Sequence, residues 1–113
     1  MSELEKLAEH LGRELLNGGE WLATAESCTG GWVAQTVTAI SGSSTWFDRG
    51  FVSYSNGAKA DMLGVPETTL ESHGAVSEAT ARAMAQGALK NSRANWAVAI
   101  TGIAGPAGGS ADK

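Results

Sequence analysis

The sequence predicts an α/β fold, and three observations carry that prediction. Two short apolar runs, Trp21-Leu22-Ala23 and Trp96-Ala97-Val98-Ala99-Ile100, have the composition of buried strands. Each runs directly into a polar, glycine-bearing turn: Thr24-Ala25-Glu26-Ser27-Cys28-Thr29-Gly30-Gly31 after the first, and Thr101-Gly102-Ile103-Ala104-Gly105-Pro106-Ala107-Gly108-Gly109-Ser110 after the second. The segments between them carry helical spacing, so strand, turn and helix alternate as in an open α/β sheet.

The elements follow in order. Residues 2–17 read as a helix, with Leu4, Leu7, Leu11 and Leu15 on one face and Ala8 between them. Ser2 stands at the N-cap with Glu5 three residues on, the capping-box spacing. Asn17-Gly18-Gly19 stops it. Residues 21–25 form a short strand, and a second helix starts at Trp32 and ends before Ser41-Gly42-Ser43-Ser44. Trp46 to Tyr54 is aromatic and β-branched, the composition of a strand, and Asp48-Arg49-Gly50 in its middle predicts a bulge or a change of direction. Asn56 is placed to cap a short helix from Gly57 to Leu63 that carries Lys59, and Gly64-Val65-Pro66 breaks it. Pro66 opens a further helix, running to about His73 with Glu67 at its positive end, and Gly74 closes it. Another helix runs from about Glu78 to Asn91, with a stripe of small residues (Ala79, Ala83, Ala85, Gly87, Ala88) and Met84 and Leu89 as its larger members. Trp96–Ile100 is the last strand.

The bulk properties exclude several functions. The 113 residues suffice for one modest domain, residues 1–113, and one core. The formal net charge is −4 and the eight lysines and arginines are scattered, so a nucleic-acid or anionic-membrane partner lacks its basic face. The first residues are charged and amphipathic, unlike a signal peptide, and no apolar run approaches a membrane span. A single cysteine, Cys28, rules out an intrachain disulfide and a multi-cysteine metal site, and fits a reducing cytoplasm. No cofactor is implied.

Chemistry concentrates at the first turn. Ser27, Cys28 and Thr29 present a hydroxyl, a thiol and a second hydroxyl beside the unpaired first amides of the following helix. Either Ser27 or Thr29 caps that helix, or the turn is a reactive site. Loops at the carboxyl ends of strands form the ligand crevice of an open α/β sheet, so the Ser27 turn and the Gly102–Ser110 loop are expected to converge. The other reading of that second loop is a low-complexity linker. Glu26 and Asp48 read as structural carboxylates, and His10 and His73 lie away from the turn.

Four stretches match one family in order and spacing: Thr24–Gly31; Gly50-Phe51-Val52-Ser53-Tyr54-Ser55-Asn56 with Lys59; His73-Gly74-Ala75-Val76-Ser77; and Thr101–Pro106 with Gly108-Gly109. The chain from about Leu4 onward resembles the C-terminal amidohydrolase domain of the competence-damage-inducible protein A family. The resemblance implies an α/β/α sandwich that hydrolyses the carboxamide of nicotinamide mononucleotide to nicotinate mononucleotide and ammonia, in pyridine-nucleotide salvage. Residue by residue, Ser27 matches the nucleophile, Lys59 its basic partner, and Tyr54 lies in the motif beside it as a possible relay. A Ser–Lys arrangement supplies a base without histidine, provided Lys59 is partly neutral. Cys28 is the rival nucleophile.

The oxyanion is assigned to amides of Cys28, Thr29 or Gly30. The substrate's phosphate is assigned to the Gly102–Gly109 amides (Gly102, Gly105, Gly108, Gly109) or to the helix start at Gly30-Gly31, with Thr101 and Ser110 as hydroxyl donors and Asn56 as a further binding residue. Members of the family continue past the Gly-Gly-Ser-x-x-Lys stretch into at least one more strand and a helix, so the chain reads as truncated at its C-terminus. An open sheet edge and four tryptophans favour association into a homo-oligomer. The alternative function is a non-catalytic pyridine-nucleotide-binding module or an inactive fragment of the enzyme.

Overall fold

The computed structural model describes residues 2–103. Three strands, β1 (Leu22–Glu26), β2 (Phe47–Val52) and β3 (Trp96–Ile100), form one sheet in the order β2-β1-β3. Both pairings are parallel. Five helices complete the order: α1 (Glu3–Gly18), α2 (Trp32–Thr38), α3 (Asn56–Leu63), α4 (Glu67–His73) and α5 (Glu78–Lys90), with a 3-10 turn at Ser43–Thr45 before β2.

The central strand explains the layering. All five residues of β1 are buried, and alternate side chains leave by opposite faces. Leu22 joins Ala8, Leu15, Val37, Ile40 and Trp46 in one core, under α1 and α2. Ala23 and Ala25 join Leu63, Val65, Met84 and Ala88 in the other, under α3 and α5. The result is the expected α/β/α sandwich. Asp48 is the bulged residue: Leu22 pairs with Phe47, and the next partner of β1, opposite Ala23, is Arg49.

Four expectations shift. Helix α1 buries only Leu15 of its leucine stripe; Leu4, Leu7 and Leu11 are exposed, and the buried line is Ala8, Gly12 and Leu15. The Trp46 indole is the reason, for it lies against Gly12 so closely that a Cβ there would stand 2.8 Å from its Nε1. Helix α3 is capped by Ser55, whose hydroxyl accepts from the Ala58 amide at 3.0 Å, and not by Asn56. Pro66 is the N-cap of α4 and not its first residue. In α5, Met84, Gly87 and Ala88 are buried but Leu89 is exposed.

Two stability predictions arise here. Helix α5 crosses α3 at Gly87, where a Cβ would meet the Leu63 carbonyl, with its carbon only 2.7 Å away. Backbone cannot give way as a flexible side chain can, so Gly87→Ala should destabilise the fold by about 3 kcal/mol, read from denaturant midpoints. Thr24 is fully buried, and its hydroxyl has no hydrogen-bond partner among the described residues. It is wedged against Gly50, where a Cβ would stand 2.6 Å from Oγ1. Thr24→Val keeps the shape and removes the orphan hydroxyl, so it should stabilise by about 1 kcal/mol, read as a higher melting temperature.

Candidate active site

The site lies where the sheet's carboxyl ends meet two turns. Ser27 follows β1 directly, and its amide donates to the Ile100 carbonyl at the end of β3 (2.9 Å). Across the sheet, Ser53 follows β2 and donates its amide to the Glu26 carbonyl at 2.8 Å. The chain then passes Tyr54 and enters α3, whose first turn carries Lys59 back under the Ser27 turn.

Lys59 is 1% exposed and Ser27 is 6% exposed. The lysine Nζ donates to Ser27 Oγ at 3.0 Å and to the Tyr54 carbonyl at 3.0 Å. Ser27 Oγ lies 3.3 Å from the same carbonyl and donates to it. Among the described residues Lys59 makes no salt bridge. Burial therefore pushes its pKa below the ordinary lysine value, and only negative charge on the nearby Cys28 sulfur would act in the other direction. A buried amine whose charged form is disfavoured, set against a serine hydroxyl, can take the hydroxyl's proton once it is neutral.

Tyr54 meets Lys59 in a different way from the expected relay. Its side chain is 63% exposed, and the contact to Lys59 is made by its backbone carbonyl. By accepting one N–H of the amine, that carbonyl holds the nitrogen beside Ser27 Oγ.

The turn itself is built by Glu26, a residue that the sequence marked only as structural. Its carboxylate accepts from Thr29 Oγ1 (2.7 Å) and from the Val33 (2.8 Å) and Ala34 (3.0 Å) amides. Neither Ser27 nor Thr29 caps α2; the N-cap is Gly31, with no side chain, and the preceding strand supplies the carboxylate instead. The signal available beforehand was a Glu at the end of an apolar strand, seven residues before the helix amide that it meets.

This corrects two assignments. The helix start at Gly30-Gly31 already holds a carboxylate, so it repels a phosphate. The Gly30 amide is spent on the Ser27 carbonyl at 3.1 Å and the Gly31 amide is directed at the Glu26 carboxylate, which leaves Cys28 and Thr29 as the turn amides with no acceptor among the described residues.

The start of the second loop meets the first turn: Gly102 lies against Cys28, where a Cβ would stand 3.1 Å from Sγ, and the loop from residue 104 on lies outside the described residues. Cys28 itself is half-buried beside Ser27. Thr101 turns away, its hydroxyl donating to the Ala75 carbonyl at 2.8 Å. Asn56 is exposed at the start of α3. Gly105, Gly108, Gly109 and Ser110 lie outside the described residues. Among those described, no group of three or more His, Cys, Asp and Glu side chains could hold a metal ion, and no helix is long and apolar enough to cross a membrane.

Fold and site together define a parallel α/β sandwich with a buried serine–lysine pair at the carboxyl edge of its sheet. The chain belongs to the CinA C-terminal domain family, whose pattern matches residues 4–113. It is 61% identical over 112 residues to the nicotinamide-nucleotide amidohydrolase PncC of Escherichia coli K12, a match that takes in 99% of this chain and 68% of that protein. The crystal structure of the competence/damage inducible protein CihA from Agrobacterium tumefaciens superposes with a TM-score of 0.96 at 56% identity, covering 100% of this chain and 68% of that one. A CinA superfamily protein from Klebsiella pneumoniae 700603 superposes with a TM-score of 0.91 at 41% identity, covering 96% and 68%.

Proposed function

We propose that this protein is a cytoplasmic amidohydrolase that converts nicotinamide mononucleotide to nicotinate mononucleotide and ammonia. The observation that carries this reading is the buried Lys59 amine 3.0 Å from Ser27 Oγ, without a carboxylate to hold its charge among the described residues. The substrate class comes from the relatives named as amidohydrolases of nicotinamide nucleotides.

The chemistry is a two-step acyl transfer. Neutral Lys59 takes the Ser27 proton as Oγ attacks the carboxamide carbon. The carbonyl oxygen becomes an oxyanion, which the Cys28 and Thr29 amides are free to bind. The C–N bond breaks as Lys59 returns the proton to the departing nitrogen, giving ammonia and an ester on Ser27. Water, deprotonated by Lys59, attacks that ester; its C–O bond breaks, the carboxylate leaves and Ser27 recovers its proton. The substrate's phosphate is left to the loop that begins at Gly102, because α2 is closed to it by Glu26.

Ammonia release from nicotinamide mononucleotide by the purified chain tests the proposal. Turnover supports it; tight binding of the nucleotide with no ammonia released would make the protein a binding module.

A further inference from the structure

We infer that Glu26 is a positioning residue of this site: its carboxylate staples the turn so that the Cys28 and Thr29 amides, and not the start of α2, meet the reacting group. The inference rests on the reading above for what the turn acts on.

The geometry has three parts. First, Glu26 and Ser27 are neighbours that leave the strand by opposite faces, Glu26 toward α2 and Ser27 toward Lys59. Glu26 therefore never touches the reacting atoms, although it adjoins the nucleophile. Second, it is fully buried and both of its oxygens are occupied, by one hydroxyl and two helix amides, with the Gly31 amide of the turn also directed at the carboxylate. Burial alone would raise its pKa, but hydrogen bonds from Thr29, Ala34, Val33 and Gly31 outweigh it and hold the group ionised. Third, the bond from Val33 closes a ring over residues 27–32. Inside that ring the Gly30 amide meets the Ser27 carbonyl and the Trp32 amide meets the Thr29 carbonyl, both at 3.1 Å. Two consecutive amides, Cys28 and Thr29, are left over among the described residues, and consecutive free amides make an anion-binding concavity.

A plain helix cap needs one acceptor oxygen. This carboxylate uses both, which fixes the turn's tilt as well as the helix's start. Glu26→Gln keeps the size but sets an amide N–H against a backbone N–H at one of the two positions. The turn must rotate to relieve that contact, and the free amides move with it.

The test compares the full chain with Glu26→Gln in three readouts: turnover of nicotinamide mononucleotide, affinity for pyridine-3-boronic acid, and melting temperature. Ser27 Oγ adds to the boron and Lys59 takes its proton, so the tetrahedral boronate reports on the oxyanion site without turnover. The expected result is a kcat lower by about a hundredfold, a KM within about threefold, and a boronate affinity falling in step with kcat. Val37→Ala, which trims α2 in the core away from the turn, should lose stability with kcat unchanged. A kcat and boronate affinity within threefold of wild type in Glu26→Gln overturns the inference, and so does an equal kcat loss in Val37→Ala. If Glu26→Gln fails to fold, Thr29→Val removes one donor from the same carboxylate and is read in the same way, with about a tenfold fall in boronate affinity expected and no change overturning the inference. A wild type that releases no ammonia but binds the boronate more tightly than Glu26→Gln does would sink the assigned reaction and leave the positioning role standing.

Discussion

Ser27→Ala should lower ammonia release by at least about a thousandfold while leaving the fold intact. The loss is large because the hydroxyl is the group that forms the covalent intermediate, and the amides and the lysine have nothing to act on without it. The fold should survive because the hydroxyl stabilises little: its partners are the Lys59 amine at 3.0 Å and the Tyr54 carbonyl at 3.3 Å, which still bond to each other. The backbone amide of residue 27, which ties β1 to the end of β3, is untouched by the substitution. Binding of the nucleotide should therefore persist in the variant. Steady-state ammonia release, with a thermal melt on the same sample, measures both halves. Activity retained in Ser27→Ala would move the nucleophile elsewhere. Cys28 would be tested next, since its half-buried thiol adjoins Ser27 and lies against Gly102.

The layering and the place of the site were legible because local signals and topology agree. An apolar strand that runs into a glycine turn has few ways to pack, and the two such strands, β1 and β3, are adjacent and parallel. Lys59 and Ser27 are 32 residues apart, and no spacing rule connects them; only the family motif paired them beforehand. What was not legible depends on packing. The leucines of α1 outweigh its small residues in any periodicity, yet Ala8 and Gly12 face the sheet because Trp46 fills the space that a larger side chain would need. Tyr54 drew attention by its phenol, but a strand end offers its carbonyl as readily as its side chain, and sequence does not report backbone direction. Glu26 looked isolated because its partners are mostly backbone amides, which carry no residue identity.

Lys59→Met should remove turnover, by about 10² to 10⁴ in kcat, and at the same time raise stability. The two effects have one cause. Folding buries the amine with a hydroxyl and a carbonyl for partners and no salt bridge among the described residues, so its charged form is disfavoured and its pKa falls below the ordinary 10.5. Between the lowered value and 10.5 the unfolded chain keeps the proton and the folded chain does not, so stability rises with pH across that window. Below the lowered value the whole cost of burying the ammonium is present. Methionine has nearly the same length and no charge, so the variant should gain about 1–2 kcal/mol at neutral pH and lose that part of the pH slope.

The same sign governs catalysis. The reactive form is the neutral amine, so wild-type kcat/KM should climb with pH through the lowered pKa and level off above it. Lys59→Arg should be inactive at every pH, because a guanidinium does not give up its proton. A pH–rate profile together with melts of wild type and Lys59→Met decides the matter. A variant that keeps kcat and only weakens KM makes Lys59 a binding residue. A variant that is less stable than wild type means that the buried ammonium is better paired than a hydroxyl and a carbonyl allow. If both effects appear together, the site holds its base neutral by spending fold stability, and a more stable protein at this position is an inactive one.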